Sequence, residues 1–123
     1  VSKKILIVDD EIGIRLLLKE ILIQDGHQIY QAKTGEEALD KITVTPFDLL
    51  IIDYHLPILD GVSVLKRLQE KDIYLPCIFM TGMFEMLIDE LEEMDFVTGI
   101  IAKPFHVHEL LKLVRGTLYE RRH

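Results

Sequence analysis

Three uninterrupted apolar runs constrain this chain more than any other feature: Ile5-Leu6-Ile7-Val8, Leu49-Leu50-Ile51-Ile52 and Ile78-Phe79-Met80. None shows the polar alternation of a strand with one wet face, so each reads as a parallel strand buried on both sides. Parallel neighbours need crossover connections, and amphipathic stretches of helical length separate the runs. Strands are expected at Lys4 to Val8, Gln28 to Ala32, Leu49 to Ile52, Cys77 to Met80 and Gly99 to Ala102. The pattern is five consecutive βα units, an α/β doubly wound parallel sheet. Local signals fit these boundaries. Thr34 followed by Glu37 has the capping-box spacing, Asp60 precedes a helical stretch beginning near Gly61, and Gly26 ends the first helix, expected over Ile12 to Gln24. Within that helix Ile14, Leu17, Leu18, Ile21 and Leu22 share one face. Ile12, Leu16 and Ile23 fall nearly opposite, as scattered exposed apolar residues or as a docking surface.

With 123 residues, 49% of them hydrophobic, residues 1–123 are expected to close one domain around one core. Acidic residues outnumber basic ones 21 to 14, and a net charge of -7 argues against direct nucleic-acid binding. The helical stretch between the fourth and fifth strands carries Glu85, Asp89, Glu90, Glu92, Glu93 and Asp95 without a basic residue, reading as a solvated acidic face. Cys77 is the only cysteine and sits in an apolar run, as a small buried hydrophobe in a chain without an intrachain disulfide. No apolar stretch is long enough to span a bilayer, and no secretory pattern opens the chain, so a soluble, cytoplasmic protein is expected; it is read separately as a monomer. His27 and His123 read as solvated. His106 and His108 point to different faces and make a poor metal pair.

The chemistry-bearing residues fall where the strands end. Asp9 and Asp10 follow the first strand, Asp53 the third, Thr81 the fourth and Lys103 the fifth. In a parallel sheet of order 2-1-3-4-5 those ends share one edge, and the order reverses between the first and third strands, where ligands bind. Asp9, Asp10 and Asp53 then face one another. Two carboxylates about 5 Å apart repel by about 3 kcal/mol at an effective dielectric of 20, so the cluster calls for a cation. Oxygen donors point to a hard ion, Mg2+ best, with Mn2+ as a substitute, rather than zinc. Metal-screened, Asp53 becomes a nucleophile toward phosphorus, with Lys103 and Thr81 reaching the phosphoryl oxygens. Taken singly, Asp9, Asp53 or Thr81 could cap the following helix and Lys103 could be a solvated charge; their joint placement at one edge is what those roles leave unexplained.

The segments Lys4-Ile5-Leu6-Ile7-Val8-Asp9-Asp10, Ile52-Asp53-Tyr54-His55-Leu56-Pro57-Ile58-Leu59-Asp60-Gly61, Met80-Thr81-Gly82 and Ala102-Lys103-Pro104-Phe105 resemble the four signatures of bacterial response-regulator receiver domains. The resemblance spans nearly the whole chain and implies a flavodoxin-like (βα)5 fold. It implies that Asp53 accepts a phosphoryl group, that Asp9, Asp10 and Asp53 bind Mg2+ with the backbone carbonyl of His55, and that Thr81 and Lys103 contact the phosphoryl group. It also implies a cis Lys103-Pro104 peptide, a form practical only before proline. The donor would be a phosphohistidine of a sensor histidine kinase or a histidine phosphotransferase.

One departure bears on output: where many receivers carry an aromatic switch residue three positions before the lysine, this chain has Ile100, which has no ring to swing. Gly13-Ile14-Arg15 and Pro104-Phe105 resemble the single-domain receivers of sporulation phosphorelays, in which the phosphoryl group is itself the output. Ile12, Gly13, Ile14, Leu17, Pro104 and Phe105 are then expected to ring the pocket and dock partner helices, although Ile14 and Leu17 could equally be core. His55 and Met83 flank the acceptor where they could set the lifetime of the acyl phosphate. The rival readings are the receiver portion of a longer DNA-binding regulator, a small Mg2+-dependent phosphohydrolase with an aspartyl nucleophile, and a binding domain of receiver fold that is never phosphorylated. Haloacid-dehalogenase-like hydrolases space two aspartates one residue apart after the first strand and carry a cap. Asp9 and Asp10 are adjacent, and no cap segment is evident.

Overall fold

The computed structural model describes residues 2–82 and 94–119. Their elements are β1 (Lys4–Val8), α1 (Ile12–Gln24), β2 (Gln28–Ala32), α2 (Gly35–Val44), β3 (Leu49–Asp53), α3 (Gly61–Glu70), β4 (Cys77–Thr81), β5 (Val97–Ala102) and α4 (Val107–Tyr119). The strands form one sheet in the expected order, β2-β1-β3-β4-β5. Every neighbouring pair is parallel. The acidic stretch from Glu85 to Glu93, Met83 and His123 lie outside the described residues, whereas Asp95 precedes β5.

The apolar runs are buried on both faces because successive side chains alternate between two cores. Leu6, Val8, Leu50, Ile52, Cys77 and Phe79 pack with Ala38, Leu39, Val64, Leu65 and Leu68 of α2 and α3. Ile5, Ile7, Leu49, Ile51, Ile78 and Met80 pack with Leu18 and Leu22 of α1 and Leu110 and Val114 of α4. Fully burying a side chain of this size stabilises by roughly 1.5–3 kcal/mol. Register therefore cannot slip by one residue without exchanging the two cores.

The helix ends follow local chemistry. Thr34 Oγ1 accepts from the Glu37 amide at 3.0 Å, capping α2 as expected. The Glu37 carboxylate, however, takes the amide of Lys33, one residue outside a closed capping box. Asp60 caps α3, its Oδ1 accepting from the Ser63 amide at 2.8 Å. Gly26 ends α1 at φ 95°. Its amide donates to the Ile23 carbonyl and the His27 amide to the Leu22 carbonyl, the paired bonds of a Schellman turn.

Five expectations need correction. β3 and β4 each run one residue further, through Asp53 and Thr81. β5 begins at Val97 rather than Gly99. A register irregularity at Cys77/Ile78 admits an extra residue, Thr98, so Gly99 follows the irregularity and does not open the strand. Leu17, expected on the core face, is 48% exposed, because Leu18 and Leu22 alone reach the sheet fully. His27, expected in solvent, is buried, since the residue after the Schellman glycine folds back onto the helix end.

Candidate functional site

The five predicted residues meet at the carboxyl-terminal edge of the sheet. Asp53 and Thr81 are the last residues of β3 and β4. Asp9 and Asp10 directly follow β1, and Lys103 directly follows β5. One carboxylate oxygen from each of Asp9, Asp10 and Asp53 lies within 4.8 Å of the others. Asp9, Asp53 and Thr81 are buried, whereas Asp10 faces solvent.

Asp9 and Asp53 are held in the same way. Asp9 Oδ1 accepts from the Glu11 amide at 2.9 Å, and Asp53 Oδ1 from the His55 amide at 3.1 Å. Each aspartate thus has one oxygen tied to a backbone amide two residues on. The remaining oxygens converge on Lys103, whose Nζ donates to Asp9 Oδ2 at 2.9 Å and to Asp53 Oδ2 at 3.1 Å. Burial pushes the Asp9 carboxyl above its ordinary range, outweighing the Glu11 amide and Lys103, which favour the ionised form. Burial alone would lower the Lys103 ammonium, but its bonds to Asp9 and Asp53 raise it, keeping it charged. The lysine answers the need for a cation that two buried carboxylates create.

Helix capping does not account for these aspartates. Glu11 occupies the N-cap position of α1 and makes no side-chain cap bond. At α3 the cap is Asp60, leaving Asp53 to the crevice. Gly61 brings the two together, because a Cβ there would stand 2.6 Å from Phe79 Cε1 and 2.9 Å from the Asp53 carbonyl oxygen. Only glycine lets α3 start so close to the end of β3. The β3–α3 loop turns at Ile58, which takes φ 69° and is 99% exposed. The Lys103 amide donates to the Thr81 carbonyl at 2.9 Å, joining two site residues through the backbone. The Lys103-Pro104 peptide is cis, as expected.

Two residues absent from the sequence expectation belong here. Glu11 Oε1 lies 3.6 Å from Lys103 Nζ. Arg15 Nη1 donates to the Asp9 carbonyl at 2.7 Å while its Nε reaches Gln31, fixing the turn that carries the acidic pair. The Asp9-Asp10-Glu11 run was the available signal for the first; the second lies in the Gly13-Ile14-Arg15 run, which gave no sign of its contact with Asp9. Of the expected docking residues, Ile12, Gly13, Leu17 and Pro104 are exposed. Ile14 and Phe105 pack partly against the α1/α4 core. The carboxylates suit a hard divalent ion, since every clustered donor is an oxygen and the described residues contain no other cluster of three such ligands.

The model of the response regulator receiver domain family matches residues 5–115. The chain is 40% identical over 118 residues to Sporulation initiation phosphotransferase F of Bacillus subtilis (strain 168), covering 95% of this chain and 94% of that protein. It is 37% identical to the Alkaline phosphatase synthesis transcriptional regulatory protein PhoP of the same organism, covering 95% of this chain but 49% of that one. Chemotaxis response regulator CheY4 of Vibrio cholerae superposes with a TM-score of 0.86 at 30% identity, covering 96% of this chain and 100% of that one. Shared strand order, the acidic crevice bridged by lysine and these similarities lead to one conclusion: the chain belongs to the response regulator receiver domain family.

Proposed function

We propose that Asp53 accepts a phosphoryl group from a phosphohistidine and passes it on to a second histidine protein, so that the chain is a phosphorelay intermediate. An Asp53 carboxylate oxygen attacks phosphorus, the new O–P bond forming as the N–P bond breaks, and the electron pair leaves with the imidazole nitrogen. The observation that carries this reading is the single ammonium shared between Asp9 and Asp53 at 2.9 and 3.1 Å. It places one positive charge between two buried carboxylates, offsets their mutual repulsion and holds Asp53 in the crevice. Lys103 moves onto the arriving phosphoryl oxygens and the Thr81 hydroxyl donates to another. Asp9, Asp10 and Asp53, with the His55 carbonyl, would hold Mg2+, which supplies charge neutralisation for the transferring group.

The relay role draws support from the near full-length match to the sporulation phosphotransferase. A receiver portion of a longer regulator is the second reading, because the chain spans about half the length of PhoP and of TrcR of Mycobacterium tuberculosis. Ile12, Gly13, Leu17 and Pro104 offer exposed contacts at the pocket mouth, beside the half-buried Ile14 and Phe105, for the helices of a histidine kinase or phosphotransferase. On this reading residues 1–123 act as one monomeric receiver that assists only its own phosphorylation, and the charge of -7 disfavours nucleic acid as a direct partner. No helix of the described residues is long and apolar enough to cross a membrane.

Incubation with acetyl phosphate and Mg2+, followed by intact-mass measurement, tests the acceptor. One added phosphoryl mass is expected, lost in Asp53→Ala and in excess chelator. An unchanged mass in the wild type, or retention in the variant, refutes the assignment. Phosphotransfer from a histidine phosphotransferase should slow about tenfold in Leu17→Ala, the scale of one interface contact, and an unaltered rate removes the docking role.

A further inference from the structure

At the opposite edge of the sheet, His27 is placed where a Schellman turn ordinarily seats an apolar side chain. Its amide closes the outer bond of that turn on Leu22, which folds the side chain against the end of α1. The side chain has no solvent exposure. Neither ring nitrogen has a hydrogen-bond partner among the described residues. Buried polar groups are normally satisfied, so this one calls for an explanation.

The surroundings come from α4. The Tyr119 ring stacks on His27 at a centroid separation of 6.0 Å and 25° between planes. One turn earlier on the same face of α4, Arg115 grips Asp25, its Nε donating to Oδ2 and its Nη2 to Oδ1. Asp25 and His27, flanking Gly26, are thus clasped by Arg115 and Tyr119. His27 Nε2 lies 3.7 Å from Asp25 Oδ2, beyond hydrogen-bonding reach. The same oxygen is already taken by the arginine.

We propose that His27 is a proton-operated latch on the last turn of α4: the neutral ring seats that turn on the α1–β2 corner, and protonation releases it. An imidazolium there would present two N–H donors without an acceptor among the described residues, in a site closed to bulk solvent. Burial is the largest influence and disfavours the charged ring; Arg115 and the amino-terminal charge act in the same direction, while Asp25 and, more weakly, Asp48 oppose them. Among the described residues the one carboxylate close enough to help is committed to Arg115, so pairing with His27 would cost the Arg115 clasp. Lifting Tyr119 away wets the ring at the expense of one terminal helical turn, which is the part of a helix that opens most readily.

The sign follows from linkage. A ring harder to protonate in the closed state than in the open one holds the turn shut above about pH 6.5, and the grip fails as the pH falls below that. In this range the opening constant of the turn should rise by up to about tenfold per pH unit. Asp53 lies at the far edge, so phosphoryl acceptance should not follow the latch.

The test uses the full chain, with NMR titration of the His27 ring and amide hydrogen exchange of residues 115–119 between pH 5 and 8, in wild type and His27→Phe. The wild-type ring should titrate below the value of free histidine. Protection of the last turn should fall with acidification in the wild type and not in His27→Phe, which should still accept phosphate from acetyl phosphate. A ring that titrates at or above the free value overturns the proposal, and needs no variant to be seen. So does an identical pH response in both proteins, or one spread evenly over the sheet. Should His27→Phe fail to fold, Tyr119→Leu gives the same reading, with high exchange at all pH values expected and wild-type pH dependence contradicting the latch.

Discussion

Removing the Lys103 ammonium while keeping its stem, as in Lys103→Met, would expose what the site needs. Lys103 Nζ contacts Asp9 and Asp53 at 2.9 and 3.1 Å, and its side chain is mostly shielded from solvent. At an effective dielectric of 20, each contact near 3 Å is worth on the order of 5 kcal/mol before desolvation is subtracted. Desolvation offsets most of that, and the measured cost of deleting one partner from a buried pair is about 3–5 kcal/mol. The variant also leaves two carboxylates facing each other, with about 3 kcal/mol of mutual repulsion if about 5 Å apart. In chelator, urea unfolding should therefore show a loss of about 3 kcal/mol. Mg2+ should then restore more stability to the variant than it adds to the wild type, because a cation binding only the folded state stabilises it by mass action and no longer competes with the lysine. Phosphorylation should be slower even in saturating Mg2+, since the ammonium is no longer there to meet the phosphoryl oxygens. Unfolding curves that coincide in chelator, or a variant no more responsive to Mg2+ than the wild type, would refute the idea that unbalanced negative charge governs this crevice.

Three further outcomes are expected. Ile58→Asn should stabilise the fold by about 1 kcal/mol in thermal unfolding, because a β-branched residue at φ 69° carries strain that asparagine tolerates; a lower melting temperature would show that Ile58 makes compensating contacts. Gly61→Ala should destabilise by about 1–3 kcal/mol and slow phosphoryl acceptance, since the new Cβ would stand 2.6 Å from Phe79 and 2.9 Å from the Asp53 carbonyl. Acid unfolding should separate wild type from Arg115→Gln: hydrogen bonding to Arg115 holds the Asp25 carboxyl below its ordinary 3.8, so its contribution is present above that value and lost as the pH falls further. Curves that run parallel between pH 6 and pH 2 would remove Asp25 from the account.

Much of the framework was legible because it rests on local rules. α1 spans Ile12 to Gln24 as its apolar periodicity and Gly26 required, and Thr34 and Asp60 cap the helices that follow them. The β5 boundary was misread because Gly99 looked like an entry point, and only the pairing with β4 reveals an irregular register before it. The role of Arg15 was invisible, since its contacts with the Asp9 carbonyl and with Gln31 depend on how α1 leans against β2. His27 was misplaced for a related reason. Histidine is intermediate in its burial, and nothing in the flanking residues announces that α4 will return to cover it.

By itself the sequence determined which candidate residues the strand ends would deliver to one edge of the sheet. Alternation along a strand and capping at a helix end are governed by neighbours a few positions apart. Only the tertiary structure decided that one ammonium would serve two aspartates from different strands, that α3 would begin against the carbonyl of Asp53, and that a histidine would be sealed beneath the last turn of α4. Most of these contacts join residues tens of positions apart, and their distances are set by how the two cores fill.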